Sequence, residues 1–382
     1  MNTTELLAYF NERQPAIIDA IREIVEIESP SFNAEASAAV ADWIEARLAS
    51  INTLEITVNR HISEGIGTHL VIRAFPNPEL KPVLVLGHTD TVHPVGAREH
   101  NPTRIDGDKF FGGGIFDMKA NIVLMIEALR YFAATGTRPA RPITIVLDCD
   151  EEVGSKTGRE HVEREARTAE FCLVFEPSAA GKAKTRRKGT GMYRLNVRGI
   201  PAHAGLEPEK GASAILEISH QIRQLHSMNA AAADTTVNVC TATGGTTSNV
   251  IPEFAECSVD VRFSSMTEAE RIDAAIRDLK PLDERTTLEL TGGINRPPME
   301  RTDAVVALFQ KARDVAASFD YDLQETQVGG ASDGNFVGAL NIPVLDGLGI
   351  TGNGAHRLDE HILITDIANR AVLMTMLLIN SD

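Results

Sequence analysis

The stretch VLVLGHTD, residues 83–90, joins a short apolar run to a polar cluster. Two later stretches repeat this pattern, since the apolar run 143–147 precedes Asp148 and the apolar run 172–175 precedes Glu176. Apolar runs of this length between polar clusters are typical of buried strands. We therefore expect three buried strands that carry polar side chains at their ends.

Helical patterns lie on either side of the first strand. Apolar side chains recur at helical spacing before it (Ile17, Ile18, Ile21, Ile24 and Val25) and again after it (Ile122, Leu124, Met125, Ala128 and Leu129). Alternating strands and helices predict an α/β domain with a sheet flanked by helices. Ligands of such domains gather where strands end, which is where the polar clusters stand.

A different pattern begins near Gly189. Strands are predicted at residues 193–197, 235–241, 256–263 and 286–290, with one helix through Ile215, Ile218, Ile222 and Leu225 and a second from a capping box at Thr267 and Glu270 to about Lys280. The order β-α-β-β-α-β is that of a ferredoxin-like α+β domain.

The chain of 382 residues exceeds what one hydrophobic core usually supports. Helix and strand alternate again from Asp303, so the tail is expected to return to the first domain. We predict a discontinuous α/β domain, residues 1–188 and 294–382, with residues 189–293 inserted as the ferredoxin-like domain.

Composition excludes several partners. The formal net charge of -16 and the lack of a basic stripe argue against nucleic acid, and the apolar runs fall far short of the roughly 20 residues that span a membrane. The first thirty residues suit no targeting signal, so cytoplasmic residence is expected. The cysteines show no CxxC spacing and are expected to be reduced and buried (Cys149, Cys172, Cys240 and Cys257).

Three clusters could carry chemistry. His88 and Asp90 lie two apart after a strand and face one side, so one can bind a metal while the other orients it. Glycines at 112–114 let the backbone approach closely before Asp117. The acids of residues 148–152 would raise one another's pKa unless a cation sits among them. Taken singly, the first cluster could be a solvated turn, the second a flexible hairpin and the third a solvated acidic loop.

Together with Glu176 and His356, these clusters offer two histidines and three carboxylates. Imidazole and carboxylate suit zinc, and two zinc ions side by side require one shared ligand. Five motifs in this order resemble the M20 metallopeptidase family: GHTDTV (87–92), DMK (117–119), DEEVGS (150–155), FEP (175–177) and AHAG (202–205). Ser332-Asp333-Gly334-Asn335 after two glycines is similar to glutamate carboxypeptidases of the carboxypeptidase G2 type.

This resemblance implies a catalytic domain that holds two Zn²⁺ per subunit, for which Co²⁺ or Mn²⁺ could substitute. Asp117 would bridge the two ions through a cis peptide to Met118. His88 and Glu176 would complete one site, and Glu152 and His356 the other. Glu151 would be the general base, and Asp90 would orient His88.

The resemblance makes the inserted domain a dimerisation or lid domain. His203 would reach the partner subunit's active site and stabilise the oxyanion, which implies a homodimer; a hydrogen-bonded loop histidine is the alternative. Asn249 and Arg262 would bind a substrate carboxylate, although Arg262 could instead form a cross-strand ion pair. The basic run Arg186-Arg187-Lys188 lies at the predicted hinge.

We therefore expect a two-zinc hydrolase that cleaves an amide bond next to a free carboxylate. The preferred substrate is a small peptide or N-acyl amino acid cleaved by a glutamate carboxypeptidase-like exopeptidase. An N-acyl amino acid deacylase or acetylornithine-type deacetylase is the alternative with the same chemistry. From another class, a non-catalytic metal- or ligand-binding homologue is opposed by Glu151, since such a protein needs no base.

Overall fold

A computed structural model describes residues 3–51 and 55–381 of the chain. The chain divides into two compact units, the first formed by Met1–Arg186, Arg301–Val328 and Ser332–Asp382, and the second by Arg187–Glu300 and Gly329–Ala331. Each unit has its own hydrophobic core. Within the described ranges, none of the helices combines the length and apolar character needed to cross a bilayer.

The described residues form nine α-helices and eighteen strands. The helices are α1 Thr3–Glu26, α2 Ala34–Ala49, α3 Ala120–Thr135, α4 Gly158–Ala166, α5 Ala214–Ser227, α6 Met266–Arg277, α7 Asp303–Ala317, α8 Gly334–Ala339 and α9 Ile367–Ile379. The strands are β1 Thr57–Ser63, β2 Gly67–Ala74, β3 Val83–His88, β4 Arg104–Asp106, β5 Lys109–Phe111, β6 Ile143–Asp148, β7 Phe171–Val174, β8 Ala183–Arg187, β9 Gly189–Arg198, β10 Ala202–His203, β11 Thr236–Gly244, β12 Val250–Ile251, β13 Phe254–Phe263, β14 Thr287–Arg296, β15 Glu325–Val328, β16 Val344–Leu345, β17 Gly352–Asn353 and β18 His361–Leu363.

A six-stranded mixed sheet organises the first unit, with the strand order β1-β2-β6-β3-β7-β16. The central strand β3 runs parallel to both β6 and β7, and the register sets His88 opposite Asp148. All three strands were predicted from their apolar runs, and every residue of β3, β6 and β7 except Gly87 is buried. Because parallel strands end at one edge, their polar clusters meet there.

The second unit has the predicted ferredoxin-like order, β9-α5-β11-β13-α6-β14. Its four strands pair antiparallel in the order β11-β13-β9-β14, and β10 forms a separate ribbon with β12. The mixed sheet of the first unit and the α+β second unit confirm the predicted fold class.

Two local predictions are wrong. The N-cap of α6 is Ser265, whose side chain accepts a hydrogen bond from Glu268 N–H, so the cap lies two residues before the predicted Thr267. Cys240 is exposed, whereas the other three cysteines are buried. The physical reason is that β11 is an edge strand of its sheet, so its side chains from Cys240 to Gly244 lie in solvent.

Candidate metal centre

Five side chains of the first unit form two overlapping groups of ligand atoms. One group is His88, Asp117 and Glu176, and the other is Asp117, Glu152 and His356. Within each group the three ligand atoms lie within 4.8 Å of one another. These are the five residues that the sequence singled out as metal ligands, and Asp117 belongs to both groups.

The two carboxylate oxygens of Asp117 face different histidines. Its Oδ1 lies 3.1 Å from His88 Nε2, and its Oδ2 lies 3.5 Å from His356 Nε2. A carboxylate placed in this way can give one oxygen to each of two cations. The peptide bond between Asp117 and Met118 is cis, as the resemblance implies.

The first group is buried and stands on strand ends. His88 is the last residue of β3, and Glu176 follows β7 by two residues. His88 Nε2 lies 3.3 Å from Glu176 Oε1, while His88 is 1% exposed. The sheet therefore positions His88, and Glu176 stands just beyond the sheet, where its carbonyl accepts the N–H of Gly349.

The second group is carried by turns. Glu152 lies in the short helical turn Glu151–Val153 after β6, and His356 lies in the loop between β17 and β18 with a positive φ of 65°. His356 Nε2 lies 3.1 Å from Glu152 Oε2. The other oxygen of Glu152 is buried without a hydrogen-bond partner, which is the arrangement expected of a cation ligand.

The charges of these residues agree with a cation site. Burial opposes a charged His88, but hydrogen bonds with Asp117, Asp90 and Glu176 hold its pKa well above the ordinary value. Hydrogen bonds to Asp117 and Glu152 raise the pKa of His356 to about 10. Each imidazole therefore attracts a proton in the absence of metal, and a divalent cation would compete for the same carboxylates. The donor set of imidazole and carboxylate fits Zn²⁺.

Asp90 contacts more than His88. His88 Nδ1 lies 3.0 Å from the backbone carbonyl of Asp90 and 3.4 Å from its carboxylate, so the closer contact is to the backbone. The carboxylate accepts hydrogen bonds from the N–H groups of Glu151 and Glu152, each at 3.2 Å, and from Ser31 Oγ at 2.6 Å. Asp90 thus holds the turn that carries Glu151 and Glu152.

Glu151 opens that turn and is 9% exposed. Among the residues that the structure describes, it belongs to neither group of candidate ligands. Glu151 and Glu152 are therefore neighbours in one turn, but only Glu152 belongs to a group of candidate ligands.

In the second unit, His203 and Asn249 lie close together. His203 is exposed on β10, opposite Val250 of β12, and Ala204 N–H donates to the carbonyl of Asn249. His203 Nδ1 accepts hydrogen bonds from the N–H groups of Gly205 and Leu206, both at 3.2 Å. Because a backbone N–H can only donate, the neutral ring carries its proton on Nε2.

Arg262 lies on β13, and the structure gives it a carboxylate partner. Its guanidinium forms two hydrogen bonds of 2.8 Å with Asp260, two residues away on the same strand and face. The ion pair considered for Arg262 is therefore present, but within one strand rather than between strands. In the predicted hinge, Arg187 donates to the carbonyls of Gly330 and Ala331, and Lys188 to Asp234.

A third acidic group, His69, Asp148 and Asp150, is buried behind the turn. Asp150 accepts hydrogen bonds from Thr157 and Gly158, and His69 Nδ1 accepts one from Cys149 N–H. Burial raises the pKa of Asp148 well above its ordinary range, which favours the neutral acid. Hydrogen bonds thus account for His69 and Asp150, whereas both carboxylate oxygens of Asp148 are buried without a hydrogen-bond partner among the described residues.

Sequence patterns did not single out Glu360. Glu360 is fully buried and accepts a hydrogen bond of 2.9 Å from the N–H of Asp117. Its position between His356 and β18 was the available signal, because an acid next to a ligand-bearing loop can support that loop.

The paired groups of ligand atoms are the arrangement expected of an enzyme that uses two metal ions. The chain belongs to peptidase family M20/M25/M40, whose sequence profile matches residues 84–380. It is 29% identical to carboxypeptidase G2 of Pseudomonas sp. (strain RS-16) over 385 residues, covering 97% of this chain and 90% of that protein. It is 30% identical to succinyl-diaminopimelate desuccinylase of Delftia acidovorans (strain DSM 14801 / SPH-1) over 311 residues, covering 75% and 78%. Aminopeptidase PepT of Bacillus cereus ATCC 10987 superimposes with a TM-score of 0.73 at 20% identity, covering 96% and 98% of the two chains.

The family assignment makes the chain an M20 family hydrolase, and enzymes of this family are metal-dependent. The predicted resemblance to the M20 family, and to its carboxypeptidase G2 type, is confirmed.

Proposed function

We propose that this hydrolase cleaves an amide bond next to a free carboxylate, as a glutamate carboxypeptidase-like exopeptidase that acts on small peptides or N-acyl amino acids. The observation that carries the proposal is Asp117, which presents one oxygen to each of two ligand groups. The likeness to carboxypeptidase G2 over 97% of the chain supports the choice of substrate class.

His88, Asp117 and Glu176 would hold one Zn²⁺, and Asp117, Glu152 and His356 the other. When bound, the two cations would supply Lewis-acid polarisation of the substrate carbonyl and a lowered pKa for the attacking water. Metal binding would require neutral imidazoles and ionised carboxylates, so His88 and His356 would release the protons that they hold in the metal-free protein.

Glu151 would act as the general base. It would take a proton from the attacking water and then pass that proton to the nitrogen of the leaving amine. Asp90 would hold this base in place, because its carboxylate accepts the N–H groups of both Glu151 and Glu152. A fixed turn would keep Glu151 beside the ligand Glu152 while Glu151 itself binds no metal.

His203 would donate a hydrogen bond to the oxyanion of the tetrahedral intermediate. Gly205 and Leu206 keep the proton on Nε2, and the exposed ring leaves that N–H available to a substrate. A donor aimed at developing charge lowers the barrier more than it strengthens substrate binding. We propose that it acts in the active site of a partner subunit.

The dimer that this requires would form through the edge strand β11. The strand has no charged residue and no proline, the features that usually protect an exposed edge. Ile215 and Leu216 of α5 are 44% and 65% exposed, and Ile215 lies against the end of β11 at Gly244. Pairing two copies of β11 about a twofold axis would cover both the edge and these side chains.

Asn249 and Arg262 are the proposed contacts for the free carboxylate of the substrate. Arg262 would bind it only by exchanging its bidentate pair with Asp260 for the substrate, since its guanidinium is already neutralised. The amide nitrogen of Asn249 has no hydrogen-bond partner among the described residues, and Thr247 donates to its amide oxygen. The nitrogen can therefore bind a substrate carboxylate without exchanging a partner.

A second candidate is N-acyl amino acid deacylation. The likeness to succinyl-diaminopimelate desuccinylase at 30% identity favours it, and the same residues would carry the chemistry. We propose a cytoplasmic location in either case, because the four cysteines are free thiols, as a reducing compartment maintains them.

A substrate panel tests the proposal. Turnover of a pteroyl- or benzoyl-glutamate conjugate, N-acetylornithine and N-succinyl-diaminopimelate should be compared with zinc-loaded protein. Preference for the glutamate conjugate supports the exopeptidase, and preference for either of the other two supports the deacylase. Lack of metal-dependent turnover of every compound would leave the non-catalytic alternative.

A further inference from the structure

Glu360 binds the loop that carries the shared ligand. Its Oε1 accepts the N–H groups of Phe116 and Asp117 at 2.8 and 2.9 Å, and its Oε2 accepts the N–H of Gly114 at 2.8 Å. The residue is fully buried. A buried carboxylate that accepts three backbone N–H groups fixes the path of the chain, because each of those groups would otherwise be unsatisfied.

His93 supports the same carboxylate from the other side. Its Nε2 lies 2.7 Å from Glu360 Oε2, and since the carboxylate accepts, the imidazole donates. The His93 ring also lies 3.3 Å from the position that a Cβ on Gly113 would occupy. The ring therefore packs on the glycine loop while it orients the acid that holds that loop.

The backbone of Glu360 joins this loop to the one that carries His356. The carbonyl of Glu360 accepts the N–H of Gly112, and the N–H of Glu360 donates to the carbonyl of Arg357. A Cβ on Gly354 would lie 2.9 Å from the Glu360 backbone, so the His356 loop closes directly on this residue. One residue thus touches the segments on which two candidate ligands stand.

We propose that Glu360 is a positioning residue that sets the distance between Asp117 and His356, and with it the affinity of the cation group Asp117, Glu152 and His356. The inference rests on the proposed cation sites. Asp117 belongs to both groups, so the difference lies in the other ligands: His88 ends β3 and Glu176 follows β7 by two residues, whereas His356 stands on the loop that the backbone of Glu360 joins. Loss of Glu360 should therefore weaken one of two cations preferentially.

The test is a titration of the whole metal-free protein with Co²⁺, followed by visible absorption and by metal content. Glu360→Gln keeps the shape of the side chain but offers one acceptor oxygen for two pairs of donors. We expect the affinity of one Co²⁺ to fall by roughly 10- to 100-fold, the usual effect of losing a residue that supports a ligand. The other Co²⁺ should change by less than about threefold, below that range.

Two reference variants identify the affected site. His356→Ala removes a ligand of one group and Glu176→Gln a ligand of the other, so their missing absorption bands label the two sites. Glu360→Gln should weaken the band that His356→Ala loses. Weakening of the band that Glu176→Gln loses, or equal affinities in wild type and Glu360→Gln, would overturn the proposal.

Glu217→Gln is the matched control. Glu217 is also buried and accepts the N–H groups of Leu282 and Asp283, but it lies in the second unit. It should lower the thermal midpoint without changing either Co²⁺ affinity. If Glu360→Gln does not fold, His93→Ala provides the second variant, with a smaller loss at the same site expected and an unchanged affinity counting against the proposal. Failure of the wild type to bind two Co²⁺ would instead refute the proposed function.

Discussion

Replacing Glu151 and Glu152 one at a time with glutamine is the sharpest test of the proposed chemistry. The two residues are neighbours in one turn, and both of their N–H groups bind Asp90. Glutamine keeps the size of each side chain and removes its charge. The structure nevertheless predicts opposite results, because Glu152 belongs to a ligand group and Glu151 does not.

Glu151→Gln should keep two metals per subunit and lower kcat by at least about 100-fold, the lower end of the usual loss for a general base. That loss corresponds to about 2.7 kcal/mol of transition-state stabilisation. Glu152→Gln should lose metal, because its buried carboxylate has His356 Nε2 3.1 Å away and an otherwise unpaired oxygen. Excess Zn²⁺ should restore part of the activity of Glu152→Gln and none of that lost in Glu151→Gln.

Metal content by mass spectrometry and steady-state rates on the same samples separate these outcomes. Ser31→Ala serves as a control, since it removes a donor to Asp90 but leaves the N–H groups of both glutamates in place. Equal metal loss in the two glutamine variants, or equal metal retention with equal kcat, would refute the assignment of base and ligand.

Three further predictions concern metal, subunits and the interface. A chelator should abolish hydrolysis, and Zn²⁺ or Co²⁺ should restore it; full activity in metal-free protein would refute the metal mechanism. His203→Ala should lower kcat by roughly 100-fold with metal retained, and mixing it with Glu151→Gln should recover activity if His203 acts in the partner's site, whereas no recovery despite measured subunit exchange would exclude that role. A thiol cross-linker should join two chains through Cys240, the exposed cysteine of β11, and Cys240→Ser should abolish the product; a product that persists in Cys240→Ser would contradict pairing through β11.

The sequence predicted those parts of the fold that depend on local pattern. Apolar runs locate β3, β6 and β7, and helical spacing locates α3, because strand and helix periodicity is decided within a few residues. Four of the five candidate ligands lie in motifs that follow one another in family order, and the resemblance implied His356 as the fifth. Their geometry agrees with that proposal, since three separate turns or loops and two segments at strand ends bring them within ligand distance.

Contacts between distant segments could not be predicted from local sequence patterns. Asp90 and Glu151 are 61 residues apart, and Asp117 and Glu360 are 243 apart, so no local spacing signals either pair. The partner of Arg262, the carboxylate of Asp260, was missed for another reason. Alternation places Asp260 and Arg262 on one face, but a side chain selects its partner by reach and orientation, which alternation leaves undetermined.

The buried carboxylates of Asp90 and Glu360 share one role, which is to hold the turns and loops that carry candidate ligands. His88 and Glu176 inherit their positions from the sheet, whereas Asp117, Glu152 and His356 stand on segments without a ladder of hydrogen bonds. Asp90 binds the N–H groups of one such segment and Glu360 those of another. In each case a fixed anion replaces the missing backbone partner, which makes a turn rigid enough to present a ligand. The same acids add negative charge beside the centre, and that charge strengthens its attraction for divalent cations.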